Sequence, residues 1–181
     1  GLGGGGGCDF SFPEGLDGQA ISIDVHLNQP YNVPIGKRLY LLAWKNSSPI
    51  ISGLLNPIWA PTHKPLIINS GESVLSTADT LYTEPSVMNG ILVNANTNIQ
   101  PVSMNVSSTS PYTVPLGKRL YLLSWYPDNP FISGTGSDIG IPNGNPLVLD
   151  GGESLYSTRN IDNPSTMNGY LVDEDYFADC G

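Results

Sequence analysis

The chain has 181 residues, 21 of them Gly and 16 Pro, with only 13% charged side chains. Gly and Pro are the poorest helix formers, which excludes a helical bundle or coiled coil, and an apolar share of 39% excludes a disordered chain. A net charge of −9 excludes nucleic acid and anionic membrane surfaces as partners, because both require clustered Lys and Arg.

The chain opens on Gly1, Leu2, Gly3, Gly4, Gly5, Gly6 and Gly7, then Cys8. It begins without Met, as expected where a leader has been removed or a longer precursor continues upstream. A run of glycines has almost no side chains and little stiffness. It suits an arm that lies in a narrow groove or pairs with a strand edge on another molecule. Phe10 and Phe12 come next, on one face of an extended segment, and are candidate anchors into an apolar pocket. Cys8 and Cys180 are the only cysteines and stand at opposite ends of the chain. They are expected to form a disulfide, within the chain or between subunits, which implies an oxidising compartment. No run reaches the ~20 apolar residues of a membrane-spanning helix.

Beyond the arm the chain repeats itself. PYNVPIGKRLYLLAW at 30–44 returns as PYTVPLGKRLYLLSW at 111–125, an offset of 81. The offset shortens to 79 where PSVMNGILV at 85–93 returns as PSTMNGYLV at 164–172. The chain is therefore a tandem duplication of a unit of about 75 residues. The expected organisation is an arm over 1–19, repeats over 20–97 and 98–174, and a tail over 175–181.

Within each repeat the signals are those of short strands. Ser22–Leu27 and Ser103–Ser107 alternate apolar and polar residues, the period of a half-buried strand. Pro34-x-Gly36 predicts a turn before the strand Arg38–Trp44, whose Leu-Tyr-Leu-Leu run predicts burial on both faces. Ile50–Leu54 reads as a short strand. Pro65–Asn69, Ser70-Gly71 and Glu72–Ser76 read as strand, turn, strand. Met88-Asn89-Gly90 reads as a lead into a strand at Ile91–Val93. The fold predicted is all-β, two tandem duplicated β-sandwich domains of jelly-roll-like type behind a Gly-rich arm.

The residues offer little catalysis. Asp24 and His26 share a strand, but no G-x-S-x-G turn supports a triad. Asp173, Glu174 and Asp175 form an acidic run without the alternating loop of a calcium site, so they are weak metal candidates and no cofactor is expected. Lys37, Arg38, Lys118 and Arg119 hold four of the seven bases. They are candidates to pair with Glu72 and Glu153 within a unit, or with another subunit. Trp59 has no counterpart in the second repeat, and neither does Tyr126 in the first. Both are candidate interface or glycan-contacting aromatics. Gly136–Asn145 reads as a surface loop.

The phrases YxVPxGKxLYLL, PLVLxxGES and MNGYLVDEDYF, bracketed by CDFxFPxGLDG and ADCG, resemble small tandem β-sandwich repeats of bacterial extracellular surface proteins. Bacterial appendage subunits are similar in architecture alone. Two small β units, the glycine arm and the terminal cysteine pair suit a non-catalytic structural subunit of a self-assembling extracellular or cell-surface fibre, with copies of itself as partners. A glycan- or calcium-binding adhesin and a phage fibre or decoration protein are the alternatives.

Overall fold

A computed structural model describes residues 8–77 and 84–180. The glycine arm Gly1–Gly7 lies outside the described residues, as does part of the loop where the repeat offset changes. The chain is all-β, with fourteen strands in four antiparallel sheets among the described residues.

In the first repeat, β1 (Gln19–Val25), β3 (Lys37–Lys45), β5 (Leu66–Ile68) and β7 (Ser86–Asn94) form a sheet in the order β1-β7-β3-β5. The intervening β2 (Tyr31–Asn32), β4 (Pro49–Ile51) and β6 (Ser73–Ser76) form a second sheet in the order β2-β6-β4. Every connection therefore crosses from one sheet to the other.

The second repeat copies this scheme. Its four-stranded sheet holds β8 (Gln100–Val106), β10 (Lys118–Tyr126), β12 (Leu147–Asp150) and β14 (Ser165–Asp173). Its three-stranded sheet holds β9 (Tyr112–Thr113), β11 (Phe131–Ile132) and β13 (Ser154–Tyr156). Each unit thus has seven described strands, where a jelly roll has eight.

Local chemistry explains the main features. Lys37 N–H donates to Pro34 O, and Gly36 sits at φ +78°, closing a turn that only glycine accommodates without strain; Gly117 repeats it. The strand after it is apolar on both sides. Leu39 and Leu41 enter the sandwich core with Val25, Ile51, Ile68 and Met88, while Tyr40 faces outward and is nevertheless fully buried. In the second unit, Leu120, Leu122 and Trp125 fill the equivalent core and Tyr121 faces outward. A register shift between Leu41 and Ala43, repeated between Leu122 and Ser124, puts an extra residue in the strand. The residue it displaces outward is Leu42 or Leu123.

Met88-Asn89-Gly90 is not a lead into a strand. All three lie inside nine-residue β7, as Met167-Asn168-Gly169 lie inside β14. The glycines are there for proximity. A Cβ on Gly90 would stand 2.6 Å from Tyr40 O, and one on Gly169 2.3 Å from Tyr121 O. β1 and β8 also begin earlier than the alternating pattern indicates, at Gln19 and Gln100.

Gly169→Ala is expected to destabilise the chain by about 1–3 kcal/mol, the usual cost of overpacking. Gly140→Ala adds a methyl that meets nothing within 4 Å and should shift stability by less than about 0.5 kcal/mol. Thermal denaturation of the two variants checks the contrast.

Candidate functional site: the junction between the repeats

The outward faces of the two four-stranded sheets meet in a third core. Tyr40, Ile67 and Val93 from the first unit join Tyr121, Leu123, Tyr170 and Val172 from the second. Tyr121 and Tyr170 stack with centroids 5.1 Å apart. The chain ends close over this core. Phe10 stacks on Tyr121 at 5.5 Å, Phe177 meets both rings edge-on, and Phe12 packs on Tyr40. Tyr170 O–H donates to Phe10 O. Cys8 and Cys180 are disulfide-bonded within the chain, with Cα atoms 5.3 Å apart and a sequence separation of 172. Phe10 and Phe12, expected as anchors of an assembly arm, lie against their own chain.

A single carboxylate organises the N-terminal closure. Glu14 accepts hydrogen bonds from Arg38, from Tyr40 O–H at 3.0 Å and from Asn96 N–H at 2.6 Å. It thereby ties the terminal segment to β3 and to the linker between the units. The Arg38 and Glu14 side chains are only 4% and 3% exposed. Burial pushes the Glu14 carboxyl up from its ordinary value, against the pull of these three donors. Burial first, then the neighbouring Glu14 charge, also pushes the Tyr40 hydroxyl strongly up, so it stays protonated and donating.

The other basic residues sit at the surface. Lys118 pairs with Asp173 at 2.6 Å, Arg119 pairs with Asp150 at 2.6 Å, and Lys37 donates to Asn94 Oδ1 at 2.8 Å. Exposed pairs of this kind contribute little stability. Glu72 and Glu153 hydrogen-bond neither Lys-Arg pair and instead accept the N–H of Asn69 and Asp150 in their own turns. Asp173, Glu174 and Asp175 are exposed, and no three potential metal-ligating side chains cluster among the described residues.

Above the aromatic core the contact is polar and one-sided. The side-chain amide of Asn168 on β14 accepts Ile67 N–H and donates to Ile67 O, both at 2.8 Å. It thus satisfies the edge of β5 as a further strand would. Asn105 accepts Leu55 N–H at 2.9 Å and donates to Gly53 O at 3.1 Å. Thr166 O–H donates to Pro57 O at 2.9 Å, and Asn56 donates to Pro164 O at 2.7 Å. An edge and a loop of the first unit therefore dock on a sheet face of the second.

Beside this contact lies a cleft of about 300 Å³ lined by Trp59, Thr62, Lys64, Leu123, Trp125 and Asn143. Trp59 is 54% exposed and meets Tyr126 edge-on at 4.7 Å. The two unrepeated aromatics thus come together across the junction. Lys64 reaches the cleft wall to donate to Pro142 O, and burial lowers its pKa. Trp125 is anchored by Asp128, which also accepts from Ser157 and Ser165. Burial opposes the Asp128 charge, but these donors outweigh it and hold the carboxyl below its usual value. Asp128 carries no signal in the sequence, since its counterpart in the first repeat is Ser47 and only the folded chain gathers the serines around it.

His26 and Asp24 form no hydrogen-bonded dyad: β1 ends at Val25, and the buried Nδ1 of His26 has no hydrogen-bond partner. No helix among the described residues is long and apolar enough to cross a membrane. Comparison with protein-family models, curated proteins and solved structures finds no match to this chain.

Removing the clasp should loosen the junction before the sandwiches. Cys8→Ser is expected to cost about 2–5 kcal/mol, with the terminal segments around Phe10 and Phe177 gaining hydrogen–deuterium exchange ahead of strands β3 and β10. Exchange measured by mass spectrometry checks the order.

Proposed function

We propose that this protein is a non-catalytic structural subunit of a self-assembling extracellular fibre or surface structure. The observation that carries the reading is the junction itself. Two copies of one β-unit already recognise each other within the chain, through a large aromatic core and a set of directed hydrogen bonds. A module that binds its own duplicate is suited to bind further copies. The clasped ends point the same way: a disulfide with a sequence separation of 172 suits an oxidising environment outside the cytoplasm, and it fixes the two units as one building block. The low charge fits as well, since surface that is covered by other copies needs fewer solvating groups.

The buried ionisable groups support a structural role. Glu14, Arg38, Tyr40 and Asp128 are each engaged by internal hydrogen bonds that hold segments together. Purified oxidised protein is expected to form concentration-dependent oligomers or filaments, read by sedimentation velocity and negative-stain electron microscopy. A monodisperse monomer at all concentrations overturns the proposal.

One observation favours a second reading, saccharide binding. The half-exposed Trp59 ring borders a cleft with hydroxyl, amide and ammonium groups at hand, the combination of apolar platform and polar rim that a sugar ring uses. On this reading a glycan array gives hits that quench tryptophan fluorescence, and Trp59→Ala abolishes both. An array without hits removes it.

A further inference from the structure

Duplication makes each surface of the polar contact beside the aromatic core occur twice, and only one copy of each is covered. The first unit docks by the edge of β5 and the loop 53–58. The corresponding edge and loop of the second unit, β12 and 134–139, are open. Ile67 is fully buried, whereas its counterpart Val148 is 47% exposed. Tyr121 pairs with Val148 as Tyr40 pairs with Ile67, so Val148 N–H and C=O point off the sheet edge as those of Ile67 do. Ile58 is buried, while its counterpart Ile139 is exposed.

The second unit receives the contact on the outward face of β8, β10 and β14. The same face of the first unit is open at the corresponding positions. Leu123 is 3% exposed and its counterpart Leu42 37%. Thr166 is buried and Val87 exposed, and Asn168 is buried and Asn89 exposed. Asn89 is held much as Asn168 is. Its amide nitrogen donates to Ser22 Oγ at 3.0 Å, as that of Asn168 donates to Ser103 Oγ at 3.0 Å. Its second N–H, the counterpart of the one that Asn168 gives to Ile67 O, rests on Ile21 O of its own sheet at 3.2 Å and has to exchange that acceptor for an incoming strand edge.

We infer that copies of this chain join head to tail, the open β12 edge around Val148 of one copy seating on the open face around Asn89, Val87 and Leu42 of the next, with the Asn89 amide clamping the Val148 backbone. The occupant is a second copy because the chain contains this contact once already. The contact uses two different surfaces, so it is heterologous and adds copies without limit unless its rotation closes a ring. The inference rests on the self-assembly reading and gives it a direction.

The open pair is not a perfect copy of the covered one. Val87 lacks the hydroxyl that Thr166 gives to Pro57 O, and Asp24 can accept an N–H as Asn105 does but cannot donate. The contact between chains is therefore weaker than the contact within one. It keeps the amide clamp and the Leu42 side chain, and it is reversible on dilution.

Two exposed substitutions test this. Asn89→Lys spoils the face and leaves the edge, and Val148→Lys spoils the edge and leaves the face. Each variant alone is expected to remain folded, with a melting temperature close to that of the wild type, and to weaken association at least about tenfold in Kd. Mixed one to one, they are expected to form a heterodimer that stops at two, since one intact face meets one intact edge. Sedimentation velocity reads all three samples. Wild-type association that both variants leave intact overturns this interface and leaves self-assembly standing. A wild-type monomer at every concentration overturns both. Failure of the mixture to dimerise, with each single variant monomeric, overturns the head-to-tail pairing.

Discussion

The central strand of each unit is apolar on both faces, and the rest of the architecture depends on this. A sandwich covers one face of a sheet. Leu39 and Leu41 satisfy that face in β3, and Leu120 and Leu122 in β10. Tyr40 and Tyr121 stand on the other side, together with Tyr170, Val93 and Val172. Those side chains amount to several hundred Å² of apolar surface at typical aromatic burial, more than an isolated sandwich can leave in water. Packing the second faces together solves part of the problem. The terminal segments solve the remainder, by laying Phe10, Phe12 and Phe177 over the tyrosines. The disulfide and the Glu14 carboxylate hold that cover in place.

Glu14 shows what such a closure costs and gives. A buried carboxylate is unfavourable unless donors surround it. Here burial dominates, and the group is harder to ionise than in water despite Arg38, Tyr40 and Asn96. Its folded value lies above its unfolded one, so the native state takes up a proton first as pH falls from neutral. Its contribution to stability is greatest below the ordinary carboxylate value and declines as pH rises through the raised one. Asp128 has the opposite sign. Its contribution is present above the ordinary aspartate value and is lost as pH falls through the depressed one. The two groups therefore offset each other in acid. Glu14 brings geometric definition, because its carboxylate touches the terminal segment, β3 and the linker at once.

Much of the fold is legible in the sequence because repetition and strand periodicity are local. The duplication, the Pro-x-Gly turns and the doubly buried Leu-Tyr-Leu-Leu run all depend on neighbours in the chain. Met-Asn-Gly misleads because glycine usually punctuates. Here it sits mid-strand to let the backbones of Tyr40 and Tyr121 pass close by. The junction is not legible, for a different reason. Leu42 and Leu123 are the same residue in the same motif, as are Asn89 and Asn168, yet one of each pair is exposed and the other buried. No local rule separates them. Their environments differ only through the placement of one unit on the other. For the same reason Trp59 and Tyr126 stand out individually in the sequence, but their meeting does not.

That inequality of twins also bears on symmetry. Had the two units packed about a twofold axis, corresponding residues would have shared one environment, and the chain would have closed on itself. They do so only in the aromatic core, where Tyr40 and Tyr121, or Val93 and Val172, are buried alike. Above it the units are displaced, so that an edge meets a face. A twofold contact satisfies both partners at once. An edge-on-face contact satisfies one surface on each and leaves the complementary surface open. The displacement comes from differences between the repeats. Asn105, Thr166 and Asn163 give the second face the donors and acceptors that loop 53–58 requires, and the first face has Asp24, Val87 and Glu84 there instead. The side chains that differ between the repeats thus decide which of two otherwise equivalent contacts is made within the chain: the face that carries Asn105, Thr166 and Asn163 is covered, and the face that lacks them stays at the surface.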